Sequence, residues 1–129
     1  MTMRQEEIVK EINQMCGKAL RVPSLGWHFM YNNQVYCYVV GNDQGMIRFC
    51  IPYVADISSH DKETLSKAVN DTNRNVKFIK ALLSEKADCK VSLDYDHKIN
   101  NKDTANNIVP HIIMALDYAV KYLMKKVKE

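Results

Sequence analysis

The sequence predicts an α+β fold, one antiparallel sheet with helices against it, in the element order αβββαββα. Three observations predict it. The hydrophobic spacing alternates between a helical period and a period of two, and it closes on a long helical stripe. Short turn signals, not helices, join the first three strand-like runs, which makes them an antiparallel meander. The 129 residues, 47% hydrophobic and 26% charged, fit one ordinary soluble domain spanning 1–129.

The first element is a helix. Ile8, Ile12, Met15 and Ala19 recur on one face, leaving Arg4, Glu6, Glu7, Lys10, Glu11 and Lys18 for solvent. Gly17 weakens its last turn, and Pro23 closes off any continuation. From Leu25 the period is two: Trp27, Phe29 and Tyr31 point one way, His28 and Met30 the other. Asn32-Asn33 is a two-residue hairpin signal, because Asn tolerates positive φ. Val35 to Val40 returns with β-branched and aromatic residues on both faces. Gly41 to Gly45 is a second turn. Met46 to Tyr53 is a third strand, and its Pro52 points to an exposed edge or the strand's end.

Ser58, Ser59, His60 and Asp61 offer N-cap residues. Leu65, Ala68, Val69 and Thr72 follow at helical spacing in a short helix that gives way to the polar run Asn70 to Asn75. Val76 to Leu83 reads as a strand. After a turn over Ser84 to Asp88, Cys89, Val91, Leu93 and Tyr95 alternate with Lys90, Ser92, Asp94 and Asp96, the pattern of a strand with one face on a core and one in water. Asn100 to Asn107 is polar and turn-like. Val109, Ile112, Ile113, Leu116, Val120, Leu123 and Val127 then form the stripe of a long helix. With Asn106 or Asn107 as its cap, Pro110 sits in the first turn, where it is tolerated; a start at Asp103 would have Pro110 kink it.

Composition excludes several function classes. The net charge of +3 is too mild to suggest nucleic acid. Lys121, Lys125, Lys126 and Lys128 crowd the C-terminal end, where they complement a helix dipole, the alternative being a basic anchor for an acidic partner. The N-terminus has no apolar core of a signal peptide, and no apolar run approaches the roughly 20 residues of a membrane span. Cys16, Cys37, Cys50 and Cys89 form no CxxC pair and read as reduced, buried, small hydrophobes of a cytoplasmic protein.

No motif carries catalysis. Asp94-Tyr95-Asp96-His97, with Asn100 and Asn101 behind it, is similar to the start of a calcium loop. However, Lys98 holds the next ligand position, Ile99 that of the glycine and Ala105 that of the bidentate glutamate. Cys37 and Cys50 lie mid-strand among apolar residues, where burial raises a thiol's pKa, and His28 could neighbour either one. His111 sits beside the apolar stripe of the last helix, and His60 at a helix start. The four glycines form no phosphate-binding pattern. Trp27, Tyr31, Tyr36, Tyr38 and Tyr53 are concentrated in the meander, but Arg48 is the only basic residue from Leu25 to Asp56, too little for nucleic acid. We therefore expect no catalytic residue, metal, cofactor, nucleic acid or membrane partner.

The element order, together with the phrase Ala68-Val69-Asn70-Asp71-Thr72-Asn73 ahead of a β-hairpin, resembles the YbjN family, small bacterial proteins with the type III secretion chaperone-like fold. In that family a short helix ends in a similar asparagine-containing phrase. A hairpin and a final helix follow, as Val76 to Tyr95 and Ile108 to Lys126 would here. The resemblance implies a five-stranded antiparallel sheet with helices packed on one side. Secretion chaperones of this fold act as homodimers that hold an extended effector segment; YbjN-like proteins are described as candidate regulators without settled chemistry.

The meander strands are apolar on both faces, and one helical layer can cover only one of them. The expected function is a non-enzymatic binding module, homodimeric, that takes a protein or peptide partner through its sheet surface and edge. Trp27, Tyr36, Tyr38, Arg48 and Tyr53 are the candidate contact residues, since aromatic and Arg side chains dominate binding hot spots. The alternative is a small-molecule sensor with a pocket between sheet and helices, and the third reading is an enzyme using Cys37, Cys50 or His28.

Overall fold

Asn32 and Asn33 both adopt positive φ, 47° and 63°, the pair that a two-residue hairpin turn of the primed type requires. That turn sets the register from which the sheet is built. A computed structural model describes residues 4–42 and 45–129; Met1, Thr2, Met3 and the centre of the second expected turn, Asp43 and Gln44, lie outside the described residues. The elements are α1 (Gln5–Cys16), β1 (Leu20–Val22), β2 (Gly26–Tyr31), β3 (Gln34–Val39), β4 (Met46–Ala55), α2 (Lys62–Asn75), β5 (Lys80–Leu83), β6 (Val91–Lys98) and α3 (Ala105–Lys128).

The strands form one antiparallel sheet in the order β1-β2-β3-β4-β6-β5. It has six strands where five were expected. The addition is β1, whose three residues are too few to show a period of two. It forms because α1 stops abruptly. Gly17 takes φ +92° and its N–H bonds the Asn13 carbonyl, while the Asn13 side chain accepts the Ala19 N–H at 2.8 Å. Gly26 then lets β2 start: a Cβ there would lie 2.0 Å from the Tyr38 carbonyl oxygen, so only glycine fits.

The helices lie on one side, with α3 across β4 and β6, α1 over β2 and α2 against β5. Phe29, Tyr36, Tyr38, Ile47, Phe49, Ile51, Val91, Leu93 and Tyr95 face this layer and are buried with Ile8, Ile12, Leu65, Ile112, Ile113, Leu116 and Leu123. The alternation expected for Cys89 to Asp96 holds within β6, where Val91, Leu93 and Tyr95 are buried and Asp96 is exposed; it is corrected at Asp94, which is half-buried, and at Cys89, which is buried but takes φ +48° in the loop before the strand. No helix among the described residues is long and apolar enough to cross a membrane.

Four local expectations are corrected. Pro52 marks neither an edge nor an end: β4 is central, and Pro52 lies in a bulge between Ile51 and Ala55 where the register with β6 shifts. A residue without an N–H costs nothing where the ladder is already broken. The polar run Asn70 to Asn75 belongs to α2, whose N-cap Asp61 accepts the Thr64 N–H at 2.7 Å. Its Thr72 is fully buried and returns its hydroxyl to the Ala68 carbonyl at 2.8 Å. Val76 to Ile79 is a turn and not the start of β5, because Phe78 takes φ +68°. Finally, α3 begins after Thr104, so Pro110 falls in the second turn. There its missing N–H leaves the Asn106 carbonyl without its helical donor.

Candidate functional site

Each strand of the sheet has a second face that no helix covers. Alternation and register together assign its residues. Leu20 pairs with His28, His28 with Cys37, Cys37 with Cys50, Cys50 with Asp94 and Asp94 with Lys80, a row running across the whole sheet. A neighbouring row joins Val39, Arg48 and Asp96. Met30 opposes Val35, and Met46 opposes Lys98. The face is therefore graded: apolar over β1 to β3, two thiols at its centre, and charged over β4 to β5.

The apolar part is open. Leu20 is 49% exposed, Met30 52% and Val35 41%. In the charged part the Arg48 guanidinium grips Asp96 with two bonds, Nε to Oδ1 at 2.6 Å and Nη2 to Oδ2 at 3.1 Å. This bidentate geometry fixes the arginine's planar head and raises its pKa further. Asp94 is held above the usual carboxylate range, first by partial burial and then by the nearby Asp96 charge.

The thiols are paired. Cys37 and Cys50 are directly opposed and share a hydrogen bond. That bond brings Cys37 down to about 7, against the upward push of its burial. Cys50 is raised, by the same bond first and then by burial. Burial alone led us to expect raised pKa values at both positions. The cross-strand partner reverses the sign at Cys37, and sequence spacing does not reveal that partner. His28 does neighbour Cys37, as its partner on β2.

The five candidate contact residues separate. Tyr36 and Tyr38 are 0% and 5% exposed, so the expectation that they present themselves on an open surface is corrected. They share the phase of Trp27 and Phe29, and that aromatic phase points at the helices because it buries the larger area. Phe29 stacks on Tyr36 at 5.4 Å, and Tyr38 on Phe49 at 5.3 Å. Trp27 is half-buried at the rim, stacked on Tyr38 at 5.7 Å with the Arg21 guanidinium 4.7 Å over its ring. It borders a groove of about 570 Å³ shared with Gln5, Glu6, Val9 and Lys10 of α1. Arg48 lies on the open face. Tyr53 is exposed on the β4 bulge, where its carbonyl accepts from Gln34 Nε2 at 2.8 Å.

Two other singled-out groups are separated by the sheet itself. Asp94 and Asp96 lie on the open face, whereas His97 lies on the opposite one, with Nε2 2.7 Å from Asp103 Oδ2. Among the described residues no three acidic, His or Cys side chains converge on a metal position. Leu20, Met30, Val35 and Val39 were not singled out from sequence. Their signal was present as the second phase of the same alternation, but the larger aromatics of the first phase drew the assignment.

No family model and no curated protein sequence matches this chain. Solved structures do. YbjN from E. coli, a candidate transcription regulator, superposes with a TM-score of 0.65 at 10% identity, over 95% of this chain and 90% of that one. An uncharacterized protein from Methanothermobacter thermautotrophicus gives 0.63 at 14% identity, over 96% of both chains. A chain of the HopA1–SchA chaperone–effector complex gives 0.62 at 6% identity, over 93% of this chain and 92% of that one. The fold is thus YbjN-like and type III secretion chaperone-like.

Proposed function

We propose that this chain is a non-enzymatic binding module that holds a protein or peptide partner through the open face and edge of its sheet, the face through which it pairs as a homodimer when no partner occupies it. The observation that carries the reading is the uncovered apolar patch of Leu20, Met30 and Val35, on the side of the sheet away from every helix. Contiguous apolar surface of this kind favours association. The likeness to a chain of a chaperone–effector complex supports a protein as the occupant. The space between sheet and helices, where a small-molecule pocket would have to lie, is filled by Tyr36, Phe49, Ile112, Ile113 and Leu116. The outer edge of β5 is taken at Ala81 by the Asn73 side chain, so main-chain pairing with an extended segment falls to the β1 edge, Leu20–Val22.

In the purified chain a second copy covers the patch, and sedimentation equilibrium over a wide concentration range tests this. The expected result is a dimer that dissociates in Val35→Glu and Met30→Glu, both with unchanged far-UV circular dichroism. A wild-type monomer at every concentration would remove the homodimer. A dimer that persists in both variants would move its interface off this face. A photo-crosslinking residue placed at Val35 then identifies the occupant in cells, against a control placed at the exposed Lys67 of α2.

A further inference from the structure

The two thiols at the centre of the open face have a chemistry that binding does not use. We propose that Cys37 and Cys50 form a thiol–disulfide exchange site, oxidised reversibly to an intramolecular disulfide by a small disulfide of the glutathione class. The inference stands on the geometry of the pair and does not depend on the binding reading.

Directly opposed residues on one face of an antiparallel pair have Cβ atoms about 4.5–5.5 Å apart, and a disulfide needs roughly 3.5–4.5 Å. Closing the bond therefore takes only a small approach of β3 to β4. The register cannot slip to separate the thiols, because the next pair, Tyr38 and Phe49, is stacked in the core on the other face. Cys37 is 6% exposed and Cys50 half-buried, so the two differ in access from the open face. The charged and titratable groups around them are His28 on β2, Arg48 on β4 and Asp94 on β6. The other two cysteines lack this arrangement. Cys16 is in α1, where burial pushes its thiol up to about 11, and Cys89 lies in the loop before β6.

The exchange balances in two steps. One thiol of the pair gives its proton to water and as thiolate attacks one sulfur of glutathione disulfide, whose S–S bond breaks, and one glutathione leaves as thiolate and is protonated by water. The second thiol of the pair then gives its proton to water, and its sulfur attacks the first cysteine's Sγ. The mixed disulfide breaks, and the second glutathione leaves. Two protein thiols are oxidised, and one glutathione disulfide is reduced to two glutathione thiols. The product pins β3 to β4 in the middle of the open face.

The test uses the full chain incubated anaerobically with glutathione disulfide, followed by alkylation of free thiols in denaturant and peptide mass spectrometry. The expected wild-type product is a linked Cys37–Cys50 peptide pair with Cys16 and Cys89 alkylated, and excess reduced glutathione restores all four thiols. Cys50→Ser should trap a stable glutathione adduct on Cys37. Cys37→Ser should likewise trap its adduct on Cys50 with no linked peptide pair. The proposal is overturned by a wild-type chain that keeps both thiols free or holds glutathione on Cys37 with Cys50 unlinked. A link between two chains would also overturn it, as would equal selectivity for the Cys37–Cys50 link when the chain is oxidised in guanidinium.

Discussion

The Asn73 side chain pairs with both backbone groups of Ala81: its Nδ2 donates to the Ala81 carbonyl at 3.0 Å, and the Ala81 N–H donates to its Oδ1 at 2.7 Å. One amide thus does for the outer edge of β5 what another strand would do, and it ties the end of α2 to the sheet. An edge whose polar groups are already satisfied is protected from unwanted pairing. Asn73→Ala should lower stability by about 1–3 kcal/mol, since it leaves two partly buried backbone groups without partners. Asn73→Asp should fall between, because it keeps the acceptor and loses the donor. Urea denaturation checks this, and equal stability of all three chains would show that water replaces the amide at no cost.

The stripe of α3 predicts a sharp contrast between neighbours. Leu116 is fully buried against the sheet, whereas Met114, two residues earlier, is 59% exposed. Leu116→Ala should cost about 2–5 kcal/mol, and Met114→Ala should stay within about 0.5 kcal/mol. Chemical denaturation that ranks the two in the opposite order would place the stripe on the wrong side of the helix.

Tyr36 has a flaw in an otherwise apolar site. Its ring is fully buried, and its hydroxyl has no hydrogen-bond partner among the described residues. Burial is the first cause that pushes this phenol's pKa up, and the Asp117 charge adds to it. Removing an unsatisfied buried hydroxyl relieves its desolvation cost, so Tyr36→Phe should raise stability by up to about 1–3 kcal/mol. A loss of stability in the thermal melt would mean that the hydroxyl has a partner in solution.

Asp94 sets part of the pH dependence. Its folded pKa is raised above the ordinary 3.8, so the folded state holds this proton more tightly than the unfolded chain. The stability it contributes is complete below 3.8 and is lost as pH rises through the folded value. Asp61 and Asp103 act in the opposite sense. The Thr64 N–H lowers the first, and the Asn100 N–H with His97 lowers the second. Their contribution is present above 3.8 and is lost as pH falls through the folded values. Asp94→Asn should therefore be somewhat more stable than wild type at neutral pH. That advantage should shrink on acidification, by an amount limited by the group's half exposure. Urea midpoints measured between neutral and acid pH decide it; an advantage that grows as pH falls would reverse the sign assigned here.

Much of this architecture was legible in the order of residues. The period of two from Trp27 to Tyr31 and from Val91 to Asp96, the Asn32-Asn33 turn and the stripe from Val109 to Val127 are local patterns. Each has a local physical cause in side-chain alternation or in the tolerance of Asn for positive φ. They determine which segments are strands and helices, and that each strand has two distinct faces. They do not determine which face the helices take in the meander. Trp27, Tyr36 and Tyr38 could have formed a surface until the helices packed on their phase, and the reason is that this phase buries the larger aromatic area. Short elements were also settled only in three dimensions. β1 exists through the stop at Gly17 and its pairing with β2, and β5 is trimmed by the turn at Phe78. The central bulge that accommodates Pro52 belongs to the register between β4 and β6. The partnership of Cys37 with Cys50 is the clearest case. The two lie on different strands, and only the register of the assembled sheet places them directly opposite each other.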